Sequence, residues 1–184
     1  MTRGATATAN RARARRRICA AAAAALEVLD LRARYVSETD DRPRAWLERF
    51  ARGEDRIGAC PWREVEHDRP LFGLLYRLSD AREDVWRHPT HAEGQAWSAV
   101  MCLARVLHED CGEPEDASRE RADTIYRAHL ARLEREAVEA LLTERAPAQR
   151  ARAAVVSTGP APRRGASRAS RSRAARRGGS RARG

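Results

Sequence analysis

Cysteine and histidine are the residue types in this chain that could hold a metal ion. Cys102, His108 and Cys111 are close in sequence, and the last two are three residues apart, which places them on one face of a helix. Structural zinc sites use four thiolate or imidazole ligands, usually paired two to four residues apart at both ends of the motif. The chain contains no CxxC pair, so the sequence predicts no metal site and no cofactor.

Enzymatic motifs are also missing from the sequence. It has no GxGxxG, no GxxxxGK[ST] and no GxSxG. It has no lysine at all, which excludes the P-loop and kinase lysines and any Schiff-base mechanism. Its five histidines and four cysteines form no arrangement that stands out from chance pairs. We therefore predict that this protein is not an enzyme.

Arginine is the residue type whose distribution indicates a function. The 184 residues carry a net charge of +10, and all 36 basic residues are arginine. Residues 1–17 hold six arginines and no acid, and residues 146–184 hold eleven and no acid. The body between them, 18–145, holds 19 arginines against all 26 acids, a net charge of −7. Arginine bonds phosphate bidentately and stacks on bases, so the two basic arms predict a nucleic-acid contact.

The two arms are predicted to be disordered, because their composition cannot bury enough apolar surface to offset the entropy of ordering. In the C-terminal arm, Ser167–Arg173 and Arg176–Gly184 resemble the Arg/Ser-rich and Arg/Gly-rich tracts of RNA-binding proteins, which favours RNA over DNA. The alternative is compositional drift in a GC-rich genome, with no binding role for the tail. The predicted phosphate-contacting residues are Arg11, Arg13, Arg15, Arg16, Arg17, Arg163, Arg164, Arg168, Arg171, Arg173, Arg176, Arg177, Arg181 and Arg183.

The start of the chain imitates a secretory signal, since a basic segment precedes the small residues of 18–26. Those residues are mostly alanine, and Glu27 and Asp30 follow at once, so we predict a basic arm that leads into a helix. The chain has no run of roughly 18 apolar residues, so no membrane span is predicted. Basic clusters serve as nuclear addresses. The expected location is the nucleus or nucleolus in a eukaryotic host, including for a viral regulatory protein, and otherwise the cytoplasm.

Between the arms, the sequence predicts an all-α fold, a small bundle of about five helices over residues 18–145. No segment shows the period-2 alternation of a strand. Four tryptophans are predicted as core anchors, with Trp62 also a candidate surface anchor because its segment reads as a loop. The predicted helices are 18–36, a short one that begins near Pro43 and is ended by Gly53, one that begins at Asp68 and stops before His88, one from a Thr90 capping box to Gly112, and one from 114–118 to about Arg145.

One apolar stretch has a second interpretation. Leu71, Leu75 and Leu78 are followed by Ser79 and Asp80, and this pattern resembles the BH3 motif of Bcl-2-type apoptosis regulators. The resemblance implies an apolar helix face that fills a partner's groove, with the aspartate meeting a basic residue. It covers ten residues, and Arg82 stands at the next apolar position. The plain interpretation of the same leucines is a buried core helix, which the sequence favours.

Two functions follow from these observations. The first is a non-enzymatic nucleic-acid-binding regulatory or adaptor protein, whose arms contact phosphate and whose helical body contacts protein. A second copy of the chain, joined through residues 118–145, is one candidate for that protein partner. The alternative is a protein-interaction module that acts by helix-in-groove recognition through Leu71, Leu75, Leu78, Asp80 and Trp62.

Overall fold

Five α-helices and one short 3₁₀ turn make up the described part of the chain, which contains no strand. The computed structural model describes residues 3–36, 41–54 and 56–157, with side chains described up to Glu144. The all-α bundle predicted from the sequence is therefore confirmed. The elements are α1 (Arg3–Arg32), α2 (Asp41–Ala51), the 3₁₀ turn (Trp62–Val65), α3 (Arg69–Asp84), α4 (Pro89–Glu109) and α5 (Glu115–Ser157).

The N-terminal arm is where the structure differs most from the prediction. Residues 3–17 are not a disordered arm, because α1 begins at Arg3 and runs without a break for 30 residues. Alanine and arginine are strong helix formers, and long-range contacts hold the segment in place. Ala14 is fully buried in the core, and Arg13 forms an ion pair with Glu93 of α4. The arginines of the predicted arm therefore belong to the folded bundle.

The central part of α1 is buried on all its sides. Every residue from Ile18 to Ala25 is at most 7% exposed, and α1 packs against α2, α3 and α4. α5 also reaches α1, since His129 Nε2 lies 3.0 Å from Glu27 Oε2. Alanine side chains at 20–25 allow the neighbouring helices to approach closely, and larger leucines from α3 and α4 fill the space around them (Leu74, Leu75, Leu78, Leu103 and Leu107).

Helix ends follow the predicted signals at several positions. Gly53 and Gly112, which follow α2 and α4, have φ angles of 71° and 72°, a left-handed conformation that glycine adopts without strain. The Asp68 side chain accepts a hydrogen bond from the backbone N–H of Leu71 and so caps α3. The predicted Thr90 cap is wrong. α4 begins at Pro89, because proline suits the first helical position, and His88 precedes it without a side-chain cap.

The tryptophans divide between core and surface, so the prediction of core anchors is confirmed for Trp46 and wrong for Trp86 and Trp97. Trp46 is 4% exposed and packs edge-on against Phe50. Trp86 is 58% exposed and Trp97 is 44% exposed. If the helical spacing of Leu71 and Leu78 is continued, it places Val85 on the core face and Trp86 beside it. The burial of Val85 agrees with this spacing.

α5 is longer than predicted, since it continues past Pro147 to Ser157. Residues 146–157, assigned to the tail from sequence, are thus helical. The chain divides into two units, one up to Leu142 and one from Thr143. In the first unit, Ile125 and Tyr126 are buried, whereas Leu141 is 53% exposed. The rest of the predicted tail, 158–184, lies outside the described residues. It contains nine of the predicted phosphate-contacting residues (Arg163, Arg164, Arg168, Arg171, Arg173, Arg176, Arg177, Arg181 and Arg183).

Candidate nucleic-acid interface

The first half of α1 places five predicted phosphate-contacting arginines on the bundle. Their side chains differ in their partners. Arg13 Nε lies 2.7 Å from Glu93 Oε1, and Arg17 Nη1 lies 3.8 Å from Glu93 Oε2. Arg15 donates to the backbone carbonyl of Gly53 at 2.7 Å. Arg11 lies over the ring of Trp86, with its guanidinium carbon 5.9 Å from the ring centroid. Arg16 is half-buried.

These contacts fix the arginines without cancelling their charge. One carboxylate, Glu93, faces two guanidinium groups, so this cluster keeps a positive charge. Each guanidinium has five N–H donors, and the ion pair with Glu93 uses only some of those of Arg13. An arginine held in place by the fold loses less side-chain entropy when it binds a phosphate than an arginine on a disordered arm. The helix therefore presents an ordered cationic surface.

Trp86 supplies an aromatic surface at the same place. It lies in the turn that follows α3 and is 58% exposed. Arg11 makes a cation–π contact with it, which favours the stacked arrangement of guanidinium and indole. An exposed indole beside arginine is the combination that proteins use to bind single-stranded nucleic acid, with bases on the ring and phosphates on the guanidinium. Sequence reasoning missed this pair, because its two residues are 75 positions apart.

A cleft of about 390 Å³ opens beside this surface. It lies between α1, the loop after α2 and the end of α3. Its apolar wall includes Ile18, Phe50 and Trp86, and charged residues line it as well (Arg15, Glu54, Arg82 and Glu83). The loop after α2 lies close to α1 here, because a Cβ on Gly53 would be 3.7 Å from Cys19 Sγ. The volume falls in the lower part of the range for small-ligand sites.

The cysteines are poor candidates for chemistry. Burial raises the pKa of the Cys19 thiol, although nearby Arg15 lowers it in part. Burial raises the pKa of Cys60 to about 12, against smaller lowering effects from its hydrogen-bond partners and from Arg82. A thiol with a raised pKa stays protonated at neutral pH and is a weak nucleophile. All four cysteines are free, and we assign no catalytic role to them.

The predicted protein-interaction residues lie mostly in or against the core. Leu71, Leu75 and Leu78 are at most 5% exposed, so the apolar face of α3 faces the bundle and is not available to a partner's groove in this fold. Asp80 is half-buried. Trp62 is also half-buried, packs edge-on against Phe72 at 5.7 Å and has Arg63 over its ring at 5.1 Å. The BH3-like pattern is thus the pattern of a core helix.

Comparisons with known proteins add no family to this picture. No family model matches the chain, and no curated protein or solved structure matches it significantly. Among the described residues, no helix is long and apolar enough to cross a membrane. Among the same residues, there is no group of three or more histidine, cysteine or acidic side chains that could hold a metal ion.

Proposed function

We propose that this chain is a non-enzymatic nucleic-acid-binding regulatory or adaptor protein, with RNA favoured over DNA. The observation that supports it most directly is the contact between Arg11 and the exposed ring of Trp86. Together with Arg13, Arg15 and Arg17 it forms what we call the α1 surface. In this proposal the α1 surface binds a single strand through stacking and phosphate contacts, and the arginines of the C-terminal tail add non-specific affinity.

The salt dependence of RNA binding is the first test of this proposal. Full-length protein should bind a labelled single-stranded RNA of mixed sequence, and the logarithm of the affinity should fall linearly with the logarithm of the salt concentration. Trp86→Leu should weaken binding by about 5- to 150-fold, since stacking contributes about 1–3 kcal/mol per base. Arg11→Ala should lower the salt slope by roughly one. Fluorescence anisotropy at several salt concentrations measures both effects.

Two variants serve as matched controls for this test. Trp97→Leu removes the other half-exposed indole, which packs on Tyr126 at 6.2 Å and is not in contact with Arg11. Arg34→Ala removes an exposed arginine in the turn that follows the C-terminal end of α1. Both should bind RNA like the unchanged protein. Deletion of 158–184 keeps all of α5 and should weaken RNA binding relative to the full-length protein, because it removes the arginines of the tail. If Trp86→Leu and the tail deletion both leave the affinity unchanged, the proposal is wrong.

A second candidate function, contact with another protein, is favoured by the exposed apolar side chains of α5. Val138, Leu141 and Leu142 are 55%, 53% and 64% exposed, and their spacing places them on one side of the helix. Such a group is typical of a surface that a partner covers. A second copy of this chain is the partner we propose, as predicted for residues 118–145.

The mass of the protein in solution tests this second candidate. Analytical ultracentrifugation of the full-length protein should show a dimer that dissociates on dilution. The double change Leu141→Arg and Leu142→Arg should give a monomer at every concentration, because it places charge in the apolar contact. Ala140→Arg lies on the other side of the same turn, is exposed, and should leave the dimer intact. A monomer for the unchanged protein would exclude self-association through α5.

A further inference from the structure

We infer that the cleft beside Trp86 is a site for one nucleobase of a bound strand, and that it selects bases that carry an amino group. This inference rests on the proposed nucleic-acid function and adds a base preference to it. Cytosine, adenine and guanine present amino groups, whereas uracil does not. The site would therefore take the first three bases and disfavour uracil.

The aromatic wall is the first observation that supports a base in the cleft. Trp86 lines the cleft, and this residue is 58% exposed. Arg11 lies over the ring but is not among the residues that line the cleft. Ile18 and Phe50 extend the apolar wall inward. A planar, mostly apolar group is the ligand that this wall suits, and a base can stack on an indole whatever its sequence.

The acidic side chains of the cleft give the preference for amino groups. Glu54 is already engaged: hydrogen bonds from Arg49 and Arg52 lower its pKa, and both guanidinium groups lie within 2.9 Å of its oxygens. Glu83 also lines the cleft, and within the described part of the chain it has no ion-pair partner. An ionised carboxylate accepts hydrogen bonds and donates none. Glu83 can therefore accept from either N–H of an exocyclic amino group. Uracil offers the carboxylate only its N3–H, which lies between two carbonyl oxygens that the carboxylate repels.

The cationic side chains in and beside the cleft would bind the phosphate group of the nucleotide whose base occupies it. Arg15 and Arg82 line it, and Arg11 stands beside it on the ring of Trp86. Whatever their present contacts, these guanidinium groups remain charged, because arginine does not deprotonate in proteins. A base that stacks on Trp86 would thus have cations next to its sugar and phosphate. The same arrangement does not suit an isolated phosphate, since two carboxylates share the cleft with the arginines.

Mononucleotide titration of the full-length protein tests the inference without any strand. CMP should bind and should reduce quenching of tryptophan fluorescence by acrylamide, because it covers the exposed Trp86 ring. UMP should bind at least about fivefold more weakly than CMP, the lower end of the discrimination that base-edge contacts provide. Ribose 5-phosphate, which has no base, should give no measurable protection. Inorganic phosphate should behave like ribose 5-phosphate.

Two variants identify the residues responsible. Glu83→Gln has the same shape but can also donate a hydrogen bond, so CMP and UMP should bind within about twofold of each other. Trp86→Ala should abolish CMP binding, whereas Trp97→Ala should leave it unchanged. Equal binding of CMP and UMP by the unchanged protein, or no binding of either, would overturn the inference. Equal protection by ribose 5-phosphate would also overturn it.

The two proposals fail separately. If the protein binds labelled RNA in a salt-dependent manner but does not distinguish CMP from UMP, the α1 surface stands and the base site does not. If CMP binds in the cleft and the protein binds no RNA, the cleft is a mononucleotide site and the proposed nucleic-acid function is wrong.

Discussion

Arg32→Ala is expected to lower the free energy of unfolding by about 3–5 kcal/mol, because it leaves two partly buried carboxylates without their cation. Arg32 ends α1 and is 12% exposed. It forms an ion pair with Asp68, the N-cap of α3, and its Nε lies 2.7 Å from Oδ2 of Asp110, which ends α4. One guanidinium thus joins the ends of three helices. Urea unfolding followed by circular dichroism measures the loss.

The loss should depend on pH with a definite sign. Burial raises the pKa of Asp110, and Arg32 opposes that shift while the neighbouring Asp68 adds to it. Without Arg32, the pKa of Asp110 should rise further. A carboxyl whose pKa is higher in the folded state than in the unfolded state destabilises the fold as the pH rises through that folded value. The deficit of Arg32→Ala should therefore be largest near neutral pH, should shrink as the pH falls through the raised folded-state pKa of Asp110, and should be smallest below the ordinary aspartate value of about 3.9.

A matched ion pair gives the control for Arg32. Arg42 lies 2.8 Å from Glu64, with side-chain exposures of 75% and 35%. Exposed pairs contribute roughly 0–1 kcal/mol, so Arg42→Ala should cost less than about 1 kcal/mol. If both variants lower the free energy of unfolding by the same small amount, the contacts of Arg32 with Asp68 and Asp110 do not stabilise the bundle as we expect.

Leu75→Ala is expected to lower the free energy of unfolding by about 2–5 kcal/mol, the range for large-to-small changes in a core. Leu75 is fully buried in the bundle. Since small domains unfold with about 5–15 kcal/mol in total, the loss is a large part of the stability. The helix-in-groove hypothesis predicts a small loss instead, because a leucine that is exposed until it binds a partner's groove contributes little to the stability of the free protein.

The control for Leu75 lies on the same helix. Arg69 is exposed at the start of α3, and Arg69→Ala should change the stability by no more than about 0.5 kcal/mol. If Leu75→Ala unfolds at the same urea concentration as the unchanged protein, α3 is not a core helix and its BH3-like face is free to bind. Urea titrations of the three proteins separate these outcomes.

Local signals in the sequence predicted much of this fold. The all-α class, the cap at Asp68 and the glycine ends of α2 and α4 each depend on residues within a few positions of one another, so periodicity and capping rules identify them. The extent of α1 could not be predicted in the same way. Arginine-rich composition indicated a disordered arm, whereas the burial of Ala14 and the ion pair of Arg13 with Glu93 depend on residues far away in sequence.

The candidate site was predicted only in its chemistry. The arginine-rich composition directed attention to α1, and Arg11, Arg13, Arg15 and Arg17 are part of the surface we propose. Its aromatic component, Trp86, was assigned to the core, because the sequence alone does not show which neighbours cover a large apolar side chain at the end of a helix. Glu83 carried no signal, since it is one of 26 acids. Both residues became candidates only when the fold brought them beside α1.

The alanines at the centre of α1 have a consequence for the thermodynamics of the proposed binding. Alanine has no side-chain rotamers to lose when it is buried, so residues 20–25 order the middle of the bundle at a low entropic cost. The arginines of the α1 surface are on the same continuous helix. A strand that binds there, as we propose, would therefore stabilise the folded state by about 1.4 kcal/mol for each factor of ten by which its concentration exceeds the dissociation constant.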